Sequence, residues 1–198
     1  MHTAPKSQAP RAFLGDWVHK ISPFSQTVVR KGADGLLCVG VWEWDEGIAA
    51  ALAPRLAEGG HRLLSGRHPG ELAVSPLDLL VISPGARGWA GAGAVKCTAV
   101  LLPGTAGPRA RVLQAHCAVS YGTSPRDTLT LSSLEGGQIC LALQRELVTL
   151  TGQVVEQQEL VLPFSTGASP LPFLAAAGTL LLLGVPPEEL PARFRLPA

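Results

Sequence analysis

The run Leu36–Val41 (LLCVGV) leads directly into Trp42-Glu43-Trp44-Asp45-Glu46-Gly47 and then into IAAALAPRLAEGGHRLLS, ending at Ser65. This order leaves few folds open to the chain. The first six residues are almost all apolar and do not alternate, as expected of a strand covered on both faces. The residues through Arg55 to Glu58 have helical spacing, Gly59-Gly60 stops the helix, and His61–Leu64 begins a second strand. In α/β folds a first strand–turn–helix of this kind is where phosphate is normally held, at the helix N-terminus. Here the turn is acidic and bulky where a phosphate cradle would be small and positive.

The rest of the chain extends the pattern. Leu77–Ser83 and Thr98–Leu102 read as strands closed by Pro-Gly pairs, and Ala86–Ala94 between them is too glycine-rich for a helix. After a strand at Ala115–Tyr121 the character changes. Thr128–Leu134, Gln138–Gln144 and Glu159–Leu162 read as an antiparallel meander, with Gly136-Gly137 as a hairpin turn and a short pair around Gly152. Phe173–Leu183 reads as a buried helix stopped at Gly184, and Pro187–Phe194 as a short last helix. The fold class is therefore α/β: a P-loop- or Rossmann-like parallel sheet with an appended antiparallel β-meander and C-terminal helices. Residues 1–33, rich in Pro, Ser, Gln and Lys, read as a flexible lead with a short helix over Phe13–Ile21, or as a basic, aromatic partner-binding arm. Residues 34–198 read as a single domain.

Composition narrows the function classes. With 46% hydrophobic and 16% charged residues the 198-residue chain can bury a sizeable core, and its net charge of +1 gives no global field for nucleic acid or anionic lipid. Its most apolar run, Phe173–Val185, is about 13 residues against the roughly 20 that span a bilayer. Cys38, Cys97, Cys117 and Cys140 share no CxxC spacing, and three of them sit in apolar strand-like runs. Together with the absence of a signal peptide, this points to a cytoplasmic protein with buried thiols, although the spacing leaves a disulfide pair open. The chain has no asparagine and is rich in Ala, Gly, Pro, Leu and Arg, a bias of GC-rich, here bacterial, genomes.

Two later segments then acquire meaning. VSYGTSPRDTLTLSSLEGGQICLAL resembles the part of Mur ligase central domains that leads from the nucleotide fold into a β-meander. PFLAAAGTLLLLGVPPEELPARF resembles the helix pair that closes such a domain. GLLCVGVWEWDEGIAAALAPRLAEGGHRL falls without gaps on the family's opening strand, P-loop and helix. The resemblance covers about two-thirds of the chain, in order, and leaves out the family's N-terminal and C-terminal domains. It implies a site where backbone amides, a lysine and a threonine hold ATP and Mg²⁺. At those positions stand Glu43 and Glu46 for glycines, Gly47 for the lysine and Ile48 for the threonine. Val81, Ile82 and Ser83 stand where the metal-binding glutamate is due, and the His-Asn pair before the closing helix is replaced near Ala168 and Ser169. Each carboxylate meeting a polyanion at about 4 Å costs roughly 1 kcal/mol in water and about 4 at an effective dielectric of 20.

The reading that follows is a shortened, degenerate Mur-ligase-like domain: a pseudo-ligase with a binding or regulatory role, without catalytic residues, metal or cofactor. Its partner is a protein or small molecule rather than nucleic acid, and oligomeric state stays open. One alternative is an ATP-dependent amide-bond ligase completed by a partner subunit, and another is a Rossmann-like binder of an uncharged metabolite. The candidate ligand-binding stretch is Trp42, Glu43, Trp44, Asp45, Glu46 and Gly47, with one indole expected in the core and the other over the vacated site. Its carboxylates read either as oxygen ligands for a cation or, more simply, as caps of the helix. His116-Cys117 are strand neighbours facing opposite ways, so they make no nucleophile pair. His19, His61 and His68 match no zinc spacing. Arg109 and Arg111 form a basic loop, solvated surface or anion clamp, and Arg126-Asp127 keeps a turn.

Overall fold

A computed structural model describes residues 35–165 and 167–194. The N-terminal lead therefore lies outside the described residues. The apolar run becomes β1 (Cys38–Trp42), which pairs in parallel with β2 (Arg62–Gly66) on one side and β3 (Leu77–Ile82) on the other. β4 (Lys96–Pro103) and β5 (Gln114–Gly122) continue the parallel array. β6 (Leu129–Glu135), β7 (Gln138–Leu143) and β10 (Gln158–Pro163) form the meander. The meander adds to the same sheet, whose order is β10-β7-β6-β5-β4-β3-β1-β2. The join is narrow, with β5 and β6 pairing in parallel through only Tyr121–Leu129 and Gly122–Thr130. Gly136 and Gly137, at φ 57° and 76°, make the β6–β7 turn, as a primed hairpin turn requires. A separate two-stranded ribbon, β8 (Leu147–Val148) with β9 (Val154–Val155), surrounds Gly152.

The unalternating strands have their physical cause in two cores. Val39, Val41, Leu79, Val81, Ala99, Leu101 and Tyr121 face α1 (Ile48–Glu58) and α3 (Pro170–Leu182). On the other face Trp42, Leu80, Ile82, Val100 and Leu102 pack beneath the short helix α2 (Pro69–Leu72) and two 3-10 segments, Trp89–Ala94 and Gly104–Val112. Those segments replace the crossover helices usual between parallel strands. α3 is buried from Leu174 to Leu182, and a helix apolar all round belongs in an interior. It ends at Gly184 (φ 90°), where the Val185 amide reaches back 3.0 Å to the Leu180 carbonyl, in the manner of a Schellman stop. The chain finishes in a 3-10 turn, Pro187–Glu189, and α4 (Leu190–Arg193). All four cysteines are free thiols, and burial pushes Cys97 up to about 12 and Cys38 and Cys117 upward. Among the described residues no helix is long and apolar enough to cross a membrane.

The helix start differs from the sequence expectation. α1 begins at Ile48, and Gly47 precedes it in the left-handed conformation (φ 77°, ψ 16°), so Asp45 and Glu46 lie in the loop and not in the first helical turn. A left-handed residue cannot continue a right-handed helix.

Candidate functional site

The carboxyl ends of β1, β3, β4 and β5 meet at one edge of the sheet, the place where open α/β sheets hold ligands. Backbone pairing carries the strands just past their ends there: the Ser83 amide donates to the Trp42 carbonyl (2.9 Å) and the Glu43 amide to the Gly66 carbonyl (3.1 Å). From this point the chain turns through Trp44-Asp45-Glu46 and enters α1.

The three carboxylates of the turn point in three directions. Glu43 folds back onto the start of α1, where its carboxylate accepts from the amides of Ile48 (2.7 Å) and Ala49 (3.0 Å). It thus lies on the free donors and positive dipole end of the helix, the position an anion takes at a helix N-terminus. Glu46 is gripped by the loop itself. One oxygen accepts from the amides of Trp44 (2.7 Å) and Asp45 (3.0 Å), the other from Ser83 Oγ (2.8 Å) and the Gly85 amide (2.6 Å). Asp45 turns outward and pairs with Arg67 at 2.5 Å, a surface pair worth roughly 0–1 kcal/mol.

Two opposed effects set the ionisation of Glu46. Its partial burial raises the carboxyl pKa, and the hydrogen bonds from Asp45, Ser83, Trp44 and Gly85 outweigh that, holding it below the ordinary carboxylate range. A carboxyl depressed by folding contributes stability that is present above its unfolded pKa and is lost as pH falls through the folded one. Stability is therefore expected to decline on acidification below the usual Glu range, and Glu46→Gln should flatten that part of the profile. Urea titrations at stepped pH would measure this, and an unchanged slope in the variant would remove the assignment.

The two indoles separate. Trp42 is fully buried, its ring centroid 4.9 Å from that of Trp89, and its Nε1 donates to the Arg67 carbonyl at 3.1 Å. Trp44 stays partly exposed at the edge, with the Arg87 guanidinium carbon 4.7 Å and that of Arg67 5.5 Å from its ring centre, and His68 against it edge-on. Arg109 lies likewise over Trp89, at 5.5 Å. Sequence reasoning singled out Arg109 but not Arg67 or Arg87. Nothing in the local sequence of Arg67 or Arg87 marks them, because they come from separate loops that only the sheet brings together.

The Arg126-Asp127 turn read from the sequence also comes to this edge, with its aspartate buried where an exposed pair is expected. Asp127 is 3% exposed and its carboxylate accepts from the Ser124 amide at 3.3 Å. It lies directly against Gly104 and Gly122, at the ends of β4 and β5, so that a Cβ on either glycine would overlap it. Tyr121 donates its hydroxyl to the Ile82 carbonyl at 2.7 Å, and burial, followed by the Glu46 charge, raises the phenol pKa. A cavity of about 160 Å³ lies at the other end of α1, lined by Arg55, Glu58, His61, Leu183 and Arg193 among others, and shares no residue with the turn.

A crystal structure of MurF from Acinetobacter baumannii superposes on this chain with a TM-score of 0.50, covering 80% of this chain and 45% of that one at 10% sequence identity. The fold is Mur-ligase-like. A second crystal structure of the same MurF gives a TM-score of 0.49, with 80% and 44% covered and 10% identity. The chain thus spans less than half the length of the MurF it resembles. No family model and no curated protein matches the sequence.

Proposed function

We propose that this Mur-ligase-like domain is a pseudo-ligase, a binding or regulatory protein that has given up ATP chemistry. The observation that carries the reading is the way Glu43 and Glu46 use their own carboxylates on the donors of the strand–turn–helix. Between them they take the amides of Ile48, Ala49, Trp44, Asp45 and Gly85. Oriented amides at such a bend are what a phosphate would need, and here each is already saturated by a built-in anion. An incoming triphosphate would have to displace two carboxylates or sit beside them, with like charges costing about 1–4 kcal/mol per close contact. The lysine that could offset this is Gly47. Its left-handed backbone also makes a lysine unfavourable there, by about 1–2 kcal/mol.

Titration calorimetry with magnesium-ATP is expected to give no micromolar binding. A micromolar Kd would overturn the reading in favour of a nucleotide-dependent ligase. The plug itself is testable separately. Glu43→Ala with Glu46→Ala should open the amides, so that inorganic phosphate raises the melting temperature of the variant but not of the parent protein. Equal shifts in both would show that the carboxylates do not block the amides.

A further inference from the structure

We infer that the cavity at the C-terminal end of α1 is the seat of the chain's own N-terminal lead, which inserts the ring of Trp17 there. The cavity shares no residue with the plugged turn, so this docking holds whether or not the turn takes ATP. Leu180, 2% exposed, is its most buried lining residue, with Leu183 and Val185 beside it at the end of α3. Arg55, Glu58 and Arg193 line it as well, and they are fixed before anything enters. Arg55 Nε donates to the Arg193 carbonyl at 2.7 Å, and Arg193 donates to Glu58 at 3.0 Å and to Glu189 at 3.5 Å.

Volume selects the occupant. Sites for small molecules run to about 300–1,000 Å³, and this cavity measures about 160 Å³. An apolar cavity of roughly 150 Å³ takes one benzene ring. The match is therefore to a single aromatic side chain. An indole suits such a lining: its face packs on leucine and valine, and its N–H has the Glu58 carboxylate as an acceptor.

The lead brings a ring to the right place. The chain enters the described residues at Gly35 and Leu36, beside this cavity. Leu36 is 52% exposed, and a Cβ on Gly60 would lie 3.2 Å from it, next to the lining residues Gly59 and His61. Trp17 is the middle of the run Phe13, Leu14, Trp17, Val18 and Ile21, apolar at helical spacing. The residues from Trp17 to Gly35 reach up to roughly 60 Å when extended, ample for the return. A tether of that kind supplies an effective concentration on the order of millimolar. A seat of even millimolar affinity is then substantially filled, and a free partner must compete for it. Net charge works in the same direction, since residues 1–33 carry five Lys and Arg against one Asp, and the remainder eleven against fourteen Asp and Glu. The ionic groups at the cavity are paired with one another, so shape and not charge fixes the place.

The test is NMR of the isotope-labelled full chain. Nuclear Overhauser contacts are expected between the Trp17 ring and the methyls of Leu183 and Val185, unchanged on dilution. This measurement needs no variant, so it stands whether or not a substitution disturbs folding. Trp17→Ala should shift the amides of Gly59, His61 and Val185 and leave those of Trp44 and Gly85, at the opposite end of α1, where they are. Trypsin should cut after Lys20 severalfold faster in Trp17→Ala than in the parent chain or in Phe24→Ala. Absence of the Trp17 contacts, contacts that fade on dilution and so come from a second copy, or cavity amides that move on removal of residues 195–198 but not in Trp17→Ala would each overturn the proposal.

Discussion

Trp42→Ala is expected to remove about 3–5 kcal/mol of stability, a large share of the roughly 5–15 kcal/mol margin of an ordinary domain. The side chain is fully buried in the core beneath the 3-10 segments. Its loss would leave a void the size of an indole, with Trp89 robbed of its stacking partner and the Arg67 carbonyl of its donor. Trp42→Phe keeps most of the volume and should lose markedly less. Urea unfolding of the three proteins followed by circular dichroism would measure the series. A loss below about 1 kcal/mol for alanine would mean that Trp42 is not the support described.

The second large effect is expected at two glycines whose importance comes from a neighbour. An alanine methyl at Gly104 would lie 2.6 Å from Asp127 Cγ, and one at Gly122 would lie 3.2 Å from it, in each case overlapping a carboxylate oxygen. Asp127 is short and buried, so it cannot swing aside as a long surface chain would. Either substitution should destabilise by about 1–3 kcal/mol from overpacking alone, and by more if the carboxylate is pushed from its Ser124 amide. A double-mutant cycle separates this from any effect on the strands. Gly104→Ala in an Asp127→Ala background should cost much less than Gly104→Ala alone. Additive losses would show that the glycine is needed for its own backbone.

Much of the architecture was legible because it rests on local patterns. The unbroken apolar run at Leu36–Val41 is the signature of a strand buried on both faces, and both cores are present. Gly136-Gly137 could only be a tight turn between strands, and the all-apolar stretch after Phe173 could only be interior. What the local sequence could not carry was whatever depends on a single dihedral or on distant loops. The acidic residues at 45 and 46 look like the first turn of a helix, and it is the positive φ of Gly47 that expels them and leaves Glu43, five residues before Ile48, to cap it. Arg67, Arg87 and Arg109 are unremarkable in their own segments, and Asp127 has no local mark linking it to Gly104 or Gly122. Likewise the meander reads as an appendage in sequence, whereas hydrogen bonding makes it the outer three strands of one eight-stranded sheet.

That last point bears on how the molecule comes together. The parallel strands and the meander share a seam of just two residue pairs, between β5 and β6. α3 packs on strands from both sides of the seam, reaching Leu101 of β4 and Leu129 of β6 with the same residue, Gly178. Because α3 follows every described strand, the final union of inner and outer strands waits for the chain as far as Leu182, and one late helix acts as the bolt across two leaves.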